Sequence, residues 1–235
     1  MTSFDRCSIH VILEAIGITL LAFIASVFVG VVFLIPLLGL GYGLDSMLVI
    51  LGVAVLGQVG FLVVAYLYIR SREIKVPIDI PSKSDLKYLS VGTISALLTA
   101  AVLSRILSLL NLMPESVIED IASTDPSFLL ALAFLSVVLI APAEELLFRG
   151  AIQGRLRECL GVLPSVIGAS ILFGSLHLGN YTGEIYPIIS AVLLIAVIGG
   201  ILGVLYERTR NLTVPIAVHA IYNVFFLLIS YLAIV

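Results

Sequence analysis

Residues 126–150 read "PSFLLALAFLSVVLIAPAEELLFRG". The first eighteen of them, 126–143, hold no Asp, Glu, Lys or Arg; two adjacent carboxylates, Glu144 and Glu145, and then Arg149 follow. An uncharged apolar run of about 18–20 residues is what a helix needs to cross the hydrocarbon core of a bilayer. The charges at its end then need a reason, because each one placed at mid-bilayer costs roughly 2.5–3.5 kcal/mol on insertion scales.

The rest of the chain repeats the pattern. Residues 15–44, 46–69, 159–183, 185–206 and 211–235 are also free of Asp, Glu, Lys and Arg. Of 235 residues, 61% are hydrophobic and 11% charged, and the mean hydropathy is +1.23. In lipid every backbone N–H and C=O must be satisfied within the spanning segment, and the runs are continuous rather than alternating, so helices are expected and a β-barrel is not. The expected fold is an all-α polytopic transmembrane bundle. Spans are expected at about 10–38, 46–69, 88–112, 128–159, 164–178, 187–206 and 212–235. Pro36 and the glycines after it are expected to end or bend the first. The chain reads as one integral membrane domain, 1–235, with its motif-bearing core at about 128–227.

Lys and Arg orient the bundle. Arg6, Arg70, Arg72, Lys75, Lys83, Lys87, Arg155, Arg157, Arg208 and Arg210 fall on one side of a seven-span arrangement. The opposite loops, 39–45, 113–127 and 179–186, hold no cation, only Asp45, Glu115, Glu119, Asp120, Asp125 and Glu184. The positive-inside rule puts the first set, and the N-terminus, in the cytosol. The partners this implies are the lipid bilayer and no nucleic acid. Cys7 and Cys159 are too few for a disulfide framework and are expected to be free thiols.

The remaining ionisable residues within spans are Glu14, Arg105, Glu144, Glu145, Arg149, His177 and His219, and such residues are functional candidates by default. Glu145 and Arg149, four apart, share a helix face and can pair. Glu144 is turned about 100° from Glu145, beyond easy reach of the same guanidinium, and is left to react or bind. Pro142 is expected to kink the helix. His177 closes the stretch "FGSLH", 173–177; His219 and Asn223 share a face in "HAIYN", 219–223. Helical rise puts Glu144 roughly 20 Å from Arg157, His177 roughly 20 Å from Pro164 and His219 about 14 Å from Arg210, which permits one shared site. Glu14 is expected to snorkel to the cytosolic edge, and Arg105 to reach Glu119 or Asp120.

No Ser or Cys stands out as a nucleophile, so covalent acyl transfer is disfavoured. A buried carboxylate with a histidine can activate water, and a His with an Asn can donate to an oxyanion. The same Glu144, His177 and His219 form a donor set for Zn²⁺ with one open position. The residues do not separate a metal-bound water from a carboxylate-bound one, though the HExxH arrangement is absent. Other readings of buried carboxylates are a non-proteolytic membrane binding or immunity protein and a proton-coupled transporter, against which the lack of repeated halves counts.

"EELLFRG", "FGSLH" and "HAIYN", in this order on three helices, resemble the EExxxR, FxxxH and HxxxN motifs of the CPBP family, the type II CAAX prenyl proteases and bacteriocin-processing proteins. The resemblance runs over about 128–227 and implies an intramembrane endopeptidase acting on a membrane-associated peptide or lipidated, CAAX-type protein. It implies Glu144 as base, working with His177 on a water; Glu145 held by Arg149 to shape the site; and His219 with Asn223 as oxyanion hole, or His219 in a metal site. It also implies a cavity open to the cytosol, no cofactor if the mechanism is of the glutamate type, Zn²⁺ if it is metallo, and eight spans where the count is seven.

Overall fold

The computed structural model describes residues 3–235, with side chains from Cys7 onward; the side chain of Arg6, counted among the cations above, lies outside that range. The helices are α1 Ser3–Gly39, α2 Met47–Ser71, α3 Lys83–Leu109, α4 Val117–Thr124, α5 Ser127–Leu160, α6 Val162–Ser175, α7 Ile185–Thr209 and α8 Thr213–Ile234. Among the described residues, seven of them, all but α4, are long and apolar enough to cross a membrane, α6 being counted with the turn that follows it to Asn180. The protein is an integral membrane helical bundle. The eighth helix, α4, has 8 residues, about 12 Å at helical rise against a core of about 30 Å, so it cannot be an eighth span.

Local chemistry moves some boundaries from their expected places. Pro36 lies inside the last turn of α1 and does not break it. The α3 helix starts at Lys83 rather than about 88 because Ser82 and Asp85 form a reciprocal capping box: the Asp85 N–H donates to Ser82 Oγ (3.3 Å) and the Ser82 N–H to Asp85 Oδ2 (2.9 Å).

The α5 helix is the axis of the bundle. Of its most apolar stretch 44% is buried, against 17–33% in the other six spans. The α1–α2 hairpin packs on α5 and α6 through Val11, Ala15, Phe61, Val64, Leu147, Phe148, Ile152 and Phe173. On the other flank α3 meets α7 and α8 through Ala96, Ala100, Ile198, Leu202 and Val218. Large apolar side chains such as Ile24, Leu193 and Leu232 are exposed, as a lipid-facing surface requires.

Small residues let backbones approach where lipid offers no hydrophobic drive between helices. A Cβ on Gly174 would lie 2.6 Å from the Val192 carbonyl oxygen and 3.0 Å from Ala196 Cβ. The backbone there cannot give, so Gly174→Val should separate α6 from α7 and destabilise by about 1–3 kcal/mol. Thermal unfolding in detergent reads this as a lowered midpoint; an unchanged midpoint means that α6 and α7 are not held at this distance.

Contacts between helix ends bear out the two-sided charge pattern. On the basic side Arg155 Nε contacts Glu14 Oε2 (2.8 Å), and Arg72 pairs with the other oxygen of the same carboxylate. Glu207 takes Arg210 (2.8 Å) and Arg157 (3.4 Å). Asn211 ties the α2–α3 loop down by bonds to both the N–H and the C=O of Asp79. On the acidic side Glu115–Ser116 (β1) pairs antiparallel with Tyr181–Thr182 (β2). Three expectations are corrected here. Glu14 is fixed between arginines instead of snorkelling. Arg105 is exposed and, among the described residues, pairs with neither Glu119 nor Asp120. Cys7 and Cys159 are joined as a disulfide, with Cα atoms 6.0 Å apart, because α1 packs along the end of α5 and brings them within bridging reach.

Candidate active site

The geometry begins with a change of helical pitch. Within α5, Ser136–Ile140 and Leu146–Gln153 are π-helical, and only the five residues Ala141–Glu145 between them are α-helical. Pro142 has no N–H, and its ring would clash with the carbonyl one α-turn back. A wider turn before it relieves both problems, and π-bulges of this kind recur at functional sites. The expected kink at Pro142 thus takes the form of a π-helical segment that sets how Glu144 and Glu145 face their neighbours.

Glu145 and Arg149 are both fully buried. Arg149 Nε lies 3.1 Å from Glu145 Oε2, but off the line of a directional hydrogen bond. Its Nη2 donates to the Gly199 carbonyl (3.1 Å), and its guanidinium carbon lies 4.9 Å from the centre of the Phe173 ring. The cation therefore has an anion, a carbonyl and an aromatic face around it.

His219 sits between the two glutamates. Its Nδ1 is 2.9 Å from Glu145 Oε1 and its Nε2 is 3.8 Å from Glu144 Oε2. A proton on Nδ1 donated to Glu145 leaves the Nε2 lone pair turned toward Glu144. Glu144 is 6% exposed. Its Oε1 accepts from Gln58 Nε2 at 3.3 Å, while its Oε2 has no hydrogen-bond partner among the described residues. His177 Nδ1 is 2.9 Å from the Phe173 carbonyl oxygen, so donation there leaves its Nε2 bare. The Phe173 ring lies 4.9 Å from that of His177 and 5.7 Å from that of His219; the phenylalanine of "FGSLH" is thus the spacer that both histidines and Arg149 pack on.

Glu144, His177, His219 and Asn223 all line one cavity of about 470 Å³. Glu145 and Arg149 lie behind it. Along α5 the lining residues are Phe128, Leu132, Ser136, Ile140 and Glu144, a strict four-residue stripe. Beyond Glu144, toward the basic side, Leu147, Phe148, Ala151 and Ile152 are closed packing. The far end is lined by Ser116 and Val117 and by Asn180 and Tyr181 on the acidic side. Burial pushes the Tyr181 phenol above its ordinary pKa, so it stays a neutral group at that end. The cavity therefore extends from Glu144 toward the acidic loops.

The three candidate metal donors, Glu144, His177 and His219, share the cavity, but they do not converge. Among the described residues no group of three or more His, Cys, Asp or Glu is placed to hold an ion, whereas Zn²⁺ needs each ligand at about 2.0–2.2 Å. Sequence reasoning passed over Gln58, although a lone amide in the uncharged run 46–69 was a signal for it. It also passed over Gln153 and Glu207, which join α5 to α7 by a 3.2 Å bond.

Residues 126–225 match the family model of the Rce1-like type II CAAX prenyl endopeptidases. That Rce1-like segment spans α5 to most of α8 and contains all three motifs, in agreement with the resemblance read from them. It supports a CAAX-type intramembrane protease in general, and with it a membrane-associated protein substrate. No curated protein and no solved structure matches the chain. Gln58 lies outside the Rce1-like segment.

Proposed function

We propose that this protein is an intramembrane endopeptidase in which Glu144 activates a water against a peptide bond. The observation that carries it is the contrast between the two neighbouring carboxylates. Glu145 is neutralised by Arg149, whereas Glu144 faces the cavity with one oxygen unpartnered. In this reading Glu144 takes a proton from water, helped by the bare Nε2 of His177, and the hydroxide adds to the substrate carbonyl. Asn223 donates to the resulting oxyanion, and His219 does so through Nε2 when that nitrogen carries the proton. Glu144 then returns its proton to the leaving amine as the C–N bond breaks. No step in this reading runs through a metal, and the lack of a converged group of three His, Cys, Asp or Glu among the described residues supports that choice. The mostly apolar lining suits a lipid-bearing or apolar peptide, such as a prenylated CAAX end.

We infer that substrate enters from the acidic-loop side. The ten-to-zero cation split makes this the non-cytosolic face. One observation favours the inverse orientation: the Cys7–Cys159 disulfide is on the basic side, and disulfides persist in oxidising compartments. Single cysteines at Lys83→Cys or Glu119→Cys, in a chain with both native cysteines replaced by serine, should be labelled in intact cells by an impermeant maleimide. Labelling of Glu119→Cys alone supports a non-cytosolic cavity; labelling of Lys83→Cys alone overturns it.

The activity itself is tested with purified protein in detergent and a panel of prenylated and unprenylated membrane peptides. Wild type, Glu144→Ala and a chelator-treated sample are compared. Cleavage that the mutation abolishes and the chelator spares is the expected result. Cleavage lost to chelator and restored by Zn²⁺ would refute the metal-free water.

A further inference from the structure

Gln58 sits on α2, outside the Rce1-like segment, yet it makes the single hydrogen bond that Glu144 receives among the described residues, from its Nε2 to Glu144 Oε1 at 3.3 Å. It shares the lining stripe Ile50, Ala54, Gln58 with the cavity. Its own carbonyl oxygen is buried and unpartnered among the described residues. An amide oxygen left unpaired in a low-dielectric site is costly, and Gln58 lines the cavity that Glu144 faces. The aim of the side chain is fixed from behind. Gly57, its neighbour, packs so closely on α1 that a Cβ there would lie 2.6 Å from Ser26 Oγ. With Gly57 facing α1, residue 58, about 100° further round the helix, is turned toward α5.

We propose that Gln58 is a positioning residue for the hydrolysis and that it has two functions. Its N–H holds Glu144 Oε1, which leaves Oε2 as the atom that takes the proton. Its carbonyl oxygen accepts a hydrogen bond from the second hydrogen of the attacking water, and this orients the oxygen lone pair toward the scissile carbonyl. A neutral amide cannot take that proton, so Gln58 orients the water without acting as a base. This rests on the reading of Glu144 as the base.

The test uses the full chain in detergent with a peptide that wild type cleaves, and compares Gln58→Leu, Gln58→Asn and Glu144→Gln. Gln58→Leu keeps the bulk and removes both polar atoms. It should lower kcat by about 10–10²-fold, the scale of a misplaced reacting group, with KM within about twofold. Gln58→Asn, one methylene shorter, should restore part of the turnover. A readout independent of substrate is the infrared carboxylate band of Glu144, identified by its loss in Glu144→Gln, which should shift in Gln58→Leu as the donated hydrogen bond is lost. Thermal unfolding shows whether each variant is folded. Wild-type turnover and an unmoved band in folded Gln58→Leu overturn the proposal, as does a turnover loss that only tracks unfolding. If Glu144→Gln itself cleaves normally, the reading of Glu144 has failed instead, and that outcome is distinct.

Discussion

Glu144→Gln should reduce turnover by about 10²–10⁴-fold or more, the range that a positioned acid–base group supplies, and leave the fold intact. The substitution is nearly isosteric. It keeps an oxygen that can accept from Gln58 and removes only the negative charge at the cavity floor. Because Glu144 has no cationic partner of the kind Arg149 gives Glu145, neutralising it strands no opposite charge. The checking measurement is kcat on a cleaved membrane peptide beside the unfolding midpoint of the same preparation. A folded Glu144→Gln protein with wild-type turnover would remove Glu144 from the chemistry.

Arg149→Ala should act on stability first, by about 3–5 kcal/mol, because it leaves the buried Glu145 carboxylate without its cation. The loss includes the bond to the Gly199 carbonyl and the packing on Phe173. Arg149→Lys keeps the charge but not the planar fork that makes both contacts, so it should recover only part of the loss. The double variant Glu145→Gln/Arg149→Met removes both charges and should be closer to wild type than Arg149→Ala alone. Detergent unfolding of the four proteins checks this. If Arg149→Ala melts with wild type, the pair is not a structural support. The contrast between the two adjacent glutamates is itself the point: one substitution costs chemistry, the other costs the fold.

Much of the architecture was legible in the chain because bilayer physics is one-dimensional. An uncharged run must be a helix and must cross, so six such runs, with the stretch around Arg105, became seven spans, and the tally of Lys and Arg divided their ends into a basic and an acidic set. The Glu145–Arg149 pair was legible for the same reason, since helical spacing alone brings residues four apart together. The start of α3 was misplaced because the spans were bounded by charge, whereas Ser82 and Asp85 cap a helix that begins among charged residues.

The amino-acid sequence by itself determined the membrane setting, the number of spans, the division of their ends into a basic and an acidic set, and the ionisable residues within the spans that are candidates for chemistry. Those features depend on polarity and helical period, which are local. Tertiary structure alone decided which side of Glu144 is open, since the closing residues Leu147, Phe148 and Ile152 look as apolar as the lining ones. It decided that His219 bridges Glu144 and Glu145 across 74 positions, that Gln58 reaches Glu144 across 86, and that Cys7 meets Cys159 across 152. Such meetings depend on which helix faces pack together. In lipid, small residues such as Gly57, Gly174 and Gly199 select those faces by letting backbones approach, and a sequence does not show in advance which neighbour each one will admit.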